Sequence, residues 1–256
     1  MEVTPEYSAA QSIIQRVAVV TGAGSGIGLA TVDTLASAGY AILAVDVNEA
    51  TLSNVIQSAR LQTVVADVTD PRSPDRIVQT ALAAYGGVDV LCNVAGILDQ
   101  LMPVGEVSDD VWDRVMALNV TAPMRLTRAV LPHMLTAGSG TIINISSVAG
   151  LHGGRGGAAY TASKHALIGL TRNTAVMYRD EGIRCVAICP GTVRTSIGEG
   201  AEVSERGERA LALSSPGARH HADPSEIARL VEILASDQTS LINGTVIVAD
   251  GGWTAL

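Results

Sequence analysis

Short runs of aliphatic residues recur along the chain, separated by longer stretches in which apolar and polar positions are mixed. The runs are almost continuous in Val, Ile, Leu and Ala, which is typical of strands buried on both faces of a parallel sheet. They are Val17–Val20, Ala41–Val47, Thr63–Val68, Val88–Cys92, Thr141–Ile145, Arg184–Cys189 and Thr245–Ala249. This pattern predicts an α/β fold with a doubly wound, seven-stranded parallel sheet and helices on both faces.

Local signals place several helix ends. Gly39 and Gly182 are expected to follow helices, because glycine readily adopts the left-handed conformation found there. Ser108 is expected to cap a helix, and Asp223 begins a capping motif that ends at Glu226. We expect residues 1–15 to be an N-terminal tail and residues 16–256 a single domain. Within it, the polar segment at about 192–222 is too long for an ordinary connection and predicts a lid over a binding site.

Composition excludes several classes of protein. With 47% hydrophobic and 16% charged residues among 256, the chain can bury a sizeable core and is not disordered. The formal net charge of −8 predicts no nucleic-acid partner. No apolar run reaches the roughly 18 residues of a membrane span, and the acidic N-terminus does not resemble a secretion signal, so we expect a cytoplasmic protein. The three cysteines, Cys92, Cys185 and Cys189, predict buried free thiols, and no metal site is expected.

A glycine-rich turn follows the first predicted strand and leads directly into a helix. It reads Thr21-Gly22-Ala23-Gly24-Ser25-Gly26-Ile27-Gly28. Glycines allow a tight turn and let backbone N–H groups approach an anion at the helix N-terminus. No lysine follows the last glycine, so the turn is not a nucleoside-triphosphate loop, and the serine spacing is not that of a hydrolase elbow. The turn alone is a weak signal for a dinucleotide phosphate.

Asp46 strengthens the prediction of a dinucleotide site. It ends the second predicted strand 18 residues after Gly28, where an acid about 20 residues on accepts hydrogen bonds from an adenosine ribose. Its neighbours Val45, Val47 and Asn48 carry no positive charge, and a carboxylate at about 4 Å repels a phosphate by about 4 kcal/mol per unit charge. We therefore expect NAD rather than NADP.

A tyrosine and a lysine follow the fifth predicted strand. Ser147 ends that strand, Tyr160 comes 13 residues later, and Lys164 lies four residues beyond Tyr160 on the same helix face. A free phenol, with a pKa of about 10, is a poor base at neutral pH. A nearby ammonium supplies energy of the order needed to lower that pKa, whereas desolvation opposes it, so a cationic nicotinamide would have to contribute.

Taken together, these motifs resemble the short-chain dehydrogenase/reductases of about 250 residues, over nearly the whole chain, and imply a Rossmann-type catalytic domain. Asn93-Val94-Ala95-Gly96, Asn119 and Pro190-Gly191 also fall in the family's order. The resemblance implies four catalytic residues: Tyr160 as general acid/base, Lys164 as its partner, Ser147 as donor to the substrate oxygen and Asn119 as holder of a relay water. The implied cofactor-binding residues are Gly22, Ser25, Gly26, Ile27, Gly28, Asp46, Asp67, Val68, Asn93, Ala95, Gly96, Tyr160, Lys164, Pro190, Gly191, Val193 and Thr195.

Some residues admit a second interpretation. Val94 stands where the family usually has asparagine, so an amide that braces the central strand is lost. Ser146 could replace Ser147 as the working serine, although strand alternation sends only one of the two toward the cleft. Asn119 could merely satisfy backbone groups in its own helix, and His152 could line a substrate pocket or be a plain loop residue.

The resemblance implies NAD-dependent interconversion of a secondary alcohol and a ketone, in a protein that is commonly a homotetramer. The substrate stays open between a 3-oxoacyl thioester on a carrier protein and a small hydroxy compound such as a polyol, sterol or cyclic alcohol. Asp46 argues against the carrier-protein reductases, which usually prefer NADP. A catalytically silent NAD-binding regulator on the same fold is the remaining alternative, although all four catalytic residues are present.

Overall fold

A computed structural model describes residues 16–55, 57–198, 202–214 and 221–255. The predicted tail at residues 1–15 lies outside the described residues, as do parts of the predicted lid. Seven strands form one sheet: β1 Val17–Thr21, β2 Ala41–Asp46, β3 Leu61–Val65, β4 Val90–Asn93, β5 Gly140–Ile145, β6 Ile183–Pro190 and β7 Val246–Ala249. The order is β3-β2-β1-β4-β5-β6-β7 and every pairing is parallel. The predicted doubly wound sheet is confirmed.

Eight α-helices connect the strands in the described ranges: α1 Gly26–Ser37, α2 Glu49–Leu52, α3 Ser73–Tyr85, α4 Asp109–Met116, α5 Ala122–Ala137, α6 Ala158–Met177, α7 Glu205–Ser214 and α8 Pro224–Ala235. Large aliphatic clusters bury the two faces of the sheet; one packs β1 and β2 against α1 and α8, and the other packs them against α3 and α5. Burial on both faces explains why the strands are continuously apolar in sequence.

Most predicted boundaries agree with the structure, and two strands require correction. β3 begins at Leu61 and ends at Val65, so Ala66–Val68 leave the sheet after Ala66 N–H donates to the Asp46 carbonyl (2.8 Å). β4 begins at Val90 rather than Val88. Ala66, Val68 and Val88 are buried although they lie outside the strands, so the apolar runs extend beyond the strands in sequence.

The predicted helix signals are confirmed. The Ser108 hydroxyl accepts from Val111 N–H at the start of α4, and Asp223 and Glu226 form a capping box on α8. Gly39 follows α1 with φ of 90°, and Gly182 has φ of 78° after the short turn beyond α6. The order of the strands places the divergence between β1 and β4, where chains leave toward opposite faces and a crevice opens.

Candidate active site

A cavity of about 740 Å³ lies at the carboxyl ends of the strands. Its walls come from the turn after β1, the ends of β2 and β3, the segment after β4, the end of β5, α6 and the segment after β6. Sixteen of the seventeen predicted cofactor residues line it: Gly22, Ser25, Gly26, Ile27, Gly28, Asp46, Asp67, Val68, Ala95, Gly96, Tyr160, Lys164, Pro190, Gly191, Val193 and Thr195. The structure therefore gathers residues from distant parts of the chain around one space.

The glycine-rich turn has no room for a side chain at Gly22 or at Gly28. A Cβ added to Gly28 would lie 1.9 Å from the Gly22 carbonyl oxygen, and one added to Gly22, whose φ is 66°, would lie 2.9 Å from the Ala95 Cα. Ser25 is the N-cap residue of α1, and within the described ranges its side chain makes no capping hydrogen bond. The N-terminus of α1 thus faces the cavity with its first N–H groups available to an anion.

Asp46 has a fixed orientation at the rim of the cavity. One carboxylate oxygen accepts from Gly24 N–H (2.9 Å) and the other from Asn48 N–H (3.0 Å). A Cβ on Gly24 would collide with the Thr51 side chain at 2.2 Å, so the close approach of this turn to α2 favours glycine. Each carboxylate oxygen keeps a second lone pair, which can accept from a ribose hydroxyl.

Tyr160 and Lys164 lie on the same face of α6 and both line the cavity. The Lys164 Nζ atom is 5.5 Å from the centre of the Tyr160 ring and donates to the Ile145 carbonyl (2.9 Å). Ser147 lies close enough to Tyr160 to lower the pKa of the phenol, whereas the Ser146 hydroxyl donates to the Lys164 carbonyl (3.0 Å). Both serines line the cavity, and the choice of Ser147 as the working serine stays a prediction.

Burial dominates the electrostatics of this pair. Desolvation raises the pKa of Tyr160 to about 12, against the lowering effect of the hydrogen bond with Ser147. Desolvation also lowers the pKa of Lys164 to about 8. Without a ligand, both groups therefore favour their uncharged forms more than they do in water. Desolvation thus opposes ionisation of the phenol, in agreement with the prediction from the sequence. The lowering of the Tyr160 pKa by Lys164 stays a prediction.

Asn119 lies in a π-helical turn, Ala117–Thr121, between α4 and α5. Its side-chain oxygen accepts from Ile97 N–H (2.9 Å), and its nitrogen donates to the Ile97 carbonyl (3.0 Å) and to the Ser163 hydroxyl (3.1 Å). The side chain therefore links the segment after β4 to α6, rather than to backbone groups of its own helix as the alternative interpretation had it. The role of Asn119 in holding a relay water stays a prediction.

Asn93 is a predicted cofactor residue that the structure does not bring to the cavity wall. It is buried between strands and donates to the Asn144 side chain (2.8 Å), which in turn donates to the Thr171 hydroxyl (2.9 Å). This chain of bonds ties β4 to β5 and α6.

Sequence reasoning missed several wall residues. They include Ile97, Leu98, Gln100, Arg114, Leu118, Ser196 and Ile197. Those after β4 and β6 directly follow predicted site residues, so the rule that loops at the carboxyl ends of strands form the site could have found them. Arg114 and Leu118 lie on or after α4, where no sequence signal marks them. His152 is exposed and does not line the cavity.

Comparison with known proteins shows to which family the chain belongs. A family model described as short chain dehydrogenase matches residues 16–205. The chain belongs to the short-chain dehydrogenase/reductase family. The predicted membership and the predicted class of enzyme, an oxidoreductase acting on CH–OH groups, are both confirmed.

Two relatives of this short-chain dehydrogenase are similar over nearly their full length. The chain is 43% identical to 3beta-hydroxysteroid dehydrogenase 2 of Eggerthella lenta, with 93% of this chain and 94% of that protein aligned. It is 38% identical to asnovolin H dehydrogenase of Aspergillus novofumigatus, with 96% and 99% aligned.

Solved structures of similar shape include levodione reductase, with a TM-score of 0.83, 32% identity, and 94% of this chain and 98% of that chain covered. A 4-hydroxyisoleucine dehydrogenase complexed with NADH has a TM-score of 0.82 and 33% identity, with 94% and 100% covered. Among the helices of the described residues, none has the length and apolar character that a bilayer crossing requires.

Proposed function

We propose that this short-chain dehydrogenase uses NAD to oxidise a secondary alcohol on a rigid ring system, with a 3-hydroxysteroid as the leading substrate class. The observation that carries the proposal is the placement of Ser147, Tyr160 and Lys164 in one cavity with the glycine-rich turn and Asp46. A hydride acceptor and an acid/base pair can therefore meet at a single substrate carbon.

The residues present fit a dinucleotide. The glycine cradle has no room for side chains, and the N-terminus of α1 offers N–H groups to a pyrophosphate. Asp46 would accept from the adenosine ribose and disfavour a 2′-phosphate, which supports NAD over NADP. Lys164 would hold the nicotinamide ribose. When bound, oxidised NAD supplies the hydride acceptor and brings a positive ring into the cavity.

Tyr160 would take the proton from the substrate hydroxyl, and Ser147 would donate to the same oxygen. A positive charge in the cavity favours the phenolate and lowers the pKa of Tyr160 from the high value that burial imposes. The donors that face the substrate oxygen also stabilise the negative charge that develops there in the reverse reaction. Asn119 is proposed to hold a water that connects this site to solvent.

The substrate class is supported by one relative and by the wall. One similar protein, 43% identical over nearly its full length, is named as a 3beta-hydroxysteroid dehydrogenase. In this chain the segments after β4 and β6 contribute apolar side chains to the cavity, among them Ile97, Leu98 and Ile197. An apolar wall favours a steroid-like ring over a polyol, whose hydroxyl groups would lose hydrogen bonds to water on binding.

A substrate panel tests the proposal. NADH formation is measured with 3β-hydroxysteroid, its 3α epimer, a polyol and a 3-hydroxyacyl thioester, each with NAD and with NADP. We expect turnover of a hydroxysteroid with NAD, and a Tyr160→Phe variant that binds NADH but has lost at least about a thousandfold in kcat. Turnover of the thioester alone would favour a carrier-protein reductase, and no turnover of any alcohol would favour a regulator.

We also propose that the protein is cytoplasmic and assembles as a homotetramer. Val176 and Met177 at the end of α6, Leu241 before β7 and Val248 on β7 are exposed apolar residues, and β7 is an edge strand of the sheet. Covering them would remove apolar surface and an unpaired strand edge from water. Light scattering at micromolar concentration is expected to give the mass of four chains; the mass of one chain would contradict this.

A further inference from the structure

A buried carboxylate beside the candidate active site has no part in the chemistry proposed above. Asp99 lies six residues beyond β4 and is 0% exposed. Its carboxylate oxygens accept from the backbone N–H groups of Gly157 (3.1 Å) and Tyr160 (2.9 Å). A carboxylate is seldom buried completely without partners, so the two N–H groups that it binds indicate its role in the structure.

Those N–H groups belong to the first turn of α6, the helix that carries Tyr160 and Lys164. The first N–H groups of a helix have no partner within the helix and are usually met by an N-cap side chain. Here the N-cap residue is Gly157, which has no side chain. Asp99 supplies the missing oxygens from another element, and one of them binds the peptide group of Tyr160 itself.

The surrounding chain is shaped to make this contact. A Cβ on Gly157 would lie 2.3 Å from an Asp99 carboxylate oxygen, so glycine is required there. Gln100 and Leu101 have φ of 50° and 59°, a conformation that is uncommon for residues other than glycine. After this bend the Met102 carbonyl accepts from Ala158 N–H (2.8 Å), a third contact to the same turn of α6.

We propose that Asp99 is a positioning residue for Tyr160, which holds the first turn of α6 so that the phenol hydroxyl points to Ser147 and to the substrate oxygen. The proposal rests on the proposed function for what Tyr160 does. The negative charge of Asp99 has a second effect, because it disfavours the phenolate and raises the pKa of Tyr160. The other titratable groups that face the phenol are Lys164 from α6 and Cys189 from β6.

The variant Asp99→Asn tests both effects, since it keeps the size and one acceptor but removes the charge. We expect kcat for alcohol oxidation to fall about tenfold because Tyr160 is held less well, with KM for NAD changed less than about twofold. The rise of kcat/KM with pH, which reports the deprotonation of Tyr160, is expected to shift to lower pH. A residue that only stabilises the fold would not move this limb of the profile.

The matched control is Asp89→Asn. Asp89 accepts from Val17 N–H (2.7 Å) at the opposite ends of the strands, away from the cavity, and its exchange should leave kcat and the pH profile as in the wild type. If Asp99→Asn does not fold, Gly157→Ala crowds the same carboxylate and is expected to lower kcat without weakening NAD binding. Unchanged kcat in that variant would contradict the proposal.

A spectroscopic measurement decides the role of Asp99 even if no alcohol is oxidised. In ligand-free protein labelled with [13Cζ]tyrosine, the Tyr160 signal is the one absent from Tyr160→Phe. At pH 11 we expect a larger fraction of Tyr160 as phenolate in Asp99→Asn than in the wild type, because the negative charge that disfavours the phenolate is removed. Equal fractions in the two folded proteins would overturn the proposal, whereas absent turnover with a clear shift would overturn only the proposed function.

Discussion

In the proposed function, the choice of cofactor depends on Asp46. Two backbone N–H groups, from Gly24 and Asn48, hold its carboxylate in place, so little reorganisation is needed when a ribose binds. Preorganisation of this kind favours a ribose with free hydroxyl groups and penalises one that carries a phosphate.

The variant Asp46→Asn should therefore lose selectivity for NAD over NADP while it keeps the stability of the fold. We expect the ratio of kcat/KM with NAD to kcat/KM with NADP to fall by at least about tenfold, because the repulsion of the 2′-phosphate is removed. Steady-state kinetics with both cofactors measures the ratio. The exposed Asp75 on α3 provides the control Asp75→Asn, and an unchanged ratio in Asp46→Asn would show that another group selects the cofactor.

Lys164 makes the stability of the ligand-free protein depend on pH. Its pKa is lowered to about 8 in the folded protein, whereas an unfolded lysine has a pKa of about 10.4. Between these values the unfolded chain holds the proton and the folded chain does not, so the free energy of unfolding rises with pH from about 8 to about 10.

The variant Lys164→Met should lose this dependence. Relative to the variant, the wild type is expected to gain up to about 3 kcal/mol in free energy of unfolding across the window. Urea unfolding of both proteins at closely spaced pH values measures the difference. Above pH 10 the free energy of unfolding of both proteins should fall with pH, because Tyr160, with its raised pKa, then stays protonated only in the folded state, and this effect cancels in the difference between them. A constant difference from pH 8 to 10 would mean that Lys164 is not desolvated.

At the level of elements, the turn between β1 and α1 has the strictest requirements. Gly28→Ala places a Cβ 1.9 Å from the Gly22 carbonyl oxygen, so the cradle must open. We expect the Kd for NADH, measured by fluorescence, to rise at least about a hundredfold, since the N-terminus of α1 would no longer face the pyrophosphate. Gly169→Ala is the control: Gly169 lies in α6 with nothing near its Cβ position, and its exchange should stabilise the protein by about 0.5–1 kcal/mol and leave NADH binding intact.

The elements that local sequence patterns specify were the ones that could be predicted. Burial on both faces makes the strands visible as aliphatic runs, and the capping of α8 by Asp223 depends on neighbours in sequence. The end of β3 could not be predicted, because Ala66 and Val68 are apolar and buried although they lie beyond the strand and line the cavity. Apolar character reports burial and does not distinguish a strand from a cavity wall.

Contacts between distant elements account for the remaining differences at the site. Asn93 precedes a motif that lines the cavity, yet its own side chain turns into the sheet to bind Asn144. Asp99 carries no motif, and its partners on α6 are 58 and 61 residues away along the chain. Neither contact can be predicted from the spacing of residues in the sequence, because each depends on which elements lie beside β4 in the folded chain.

At the scale of the whole molecule, the order of the strands brings the parts of the reaction together. Chains leave β1 and β4 toward opposite faces, so the glycine-rich turn, the segment after β4 and the start of α6 surround one crevice. The predicted lid contains α7, and Ser204 lies directly before this helix. The Ser204 backbone N–H donates to the Gln100 carbonyl (3.0 Å), and its hydroxyl donates to the Glu106 carboxylate (2.6 Å). These contacts join the described part of the lid to the segment that holds Asp99.

The most direct measurement follows the hydrogen atom itself. A 3β-hydroxysteroid with deuterium on the carbinol carbon is incubated with the protein and NAD, and both products are analysed by mass spectrometry. Direct transfer predicts one deuterium in the NADH formed, one ketone for each NADH, and neither product with Tyr160→Phe. Ketone formation with no deuterium in NADH, or equal activity of the Tyr160→Phe variant, would contradict hydride transfer assisted by Tyr160.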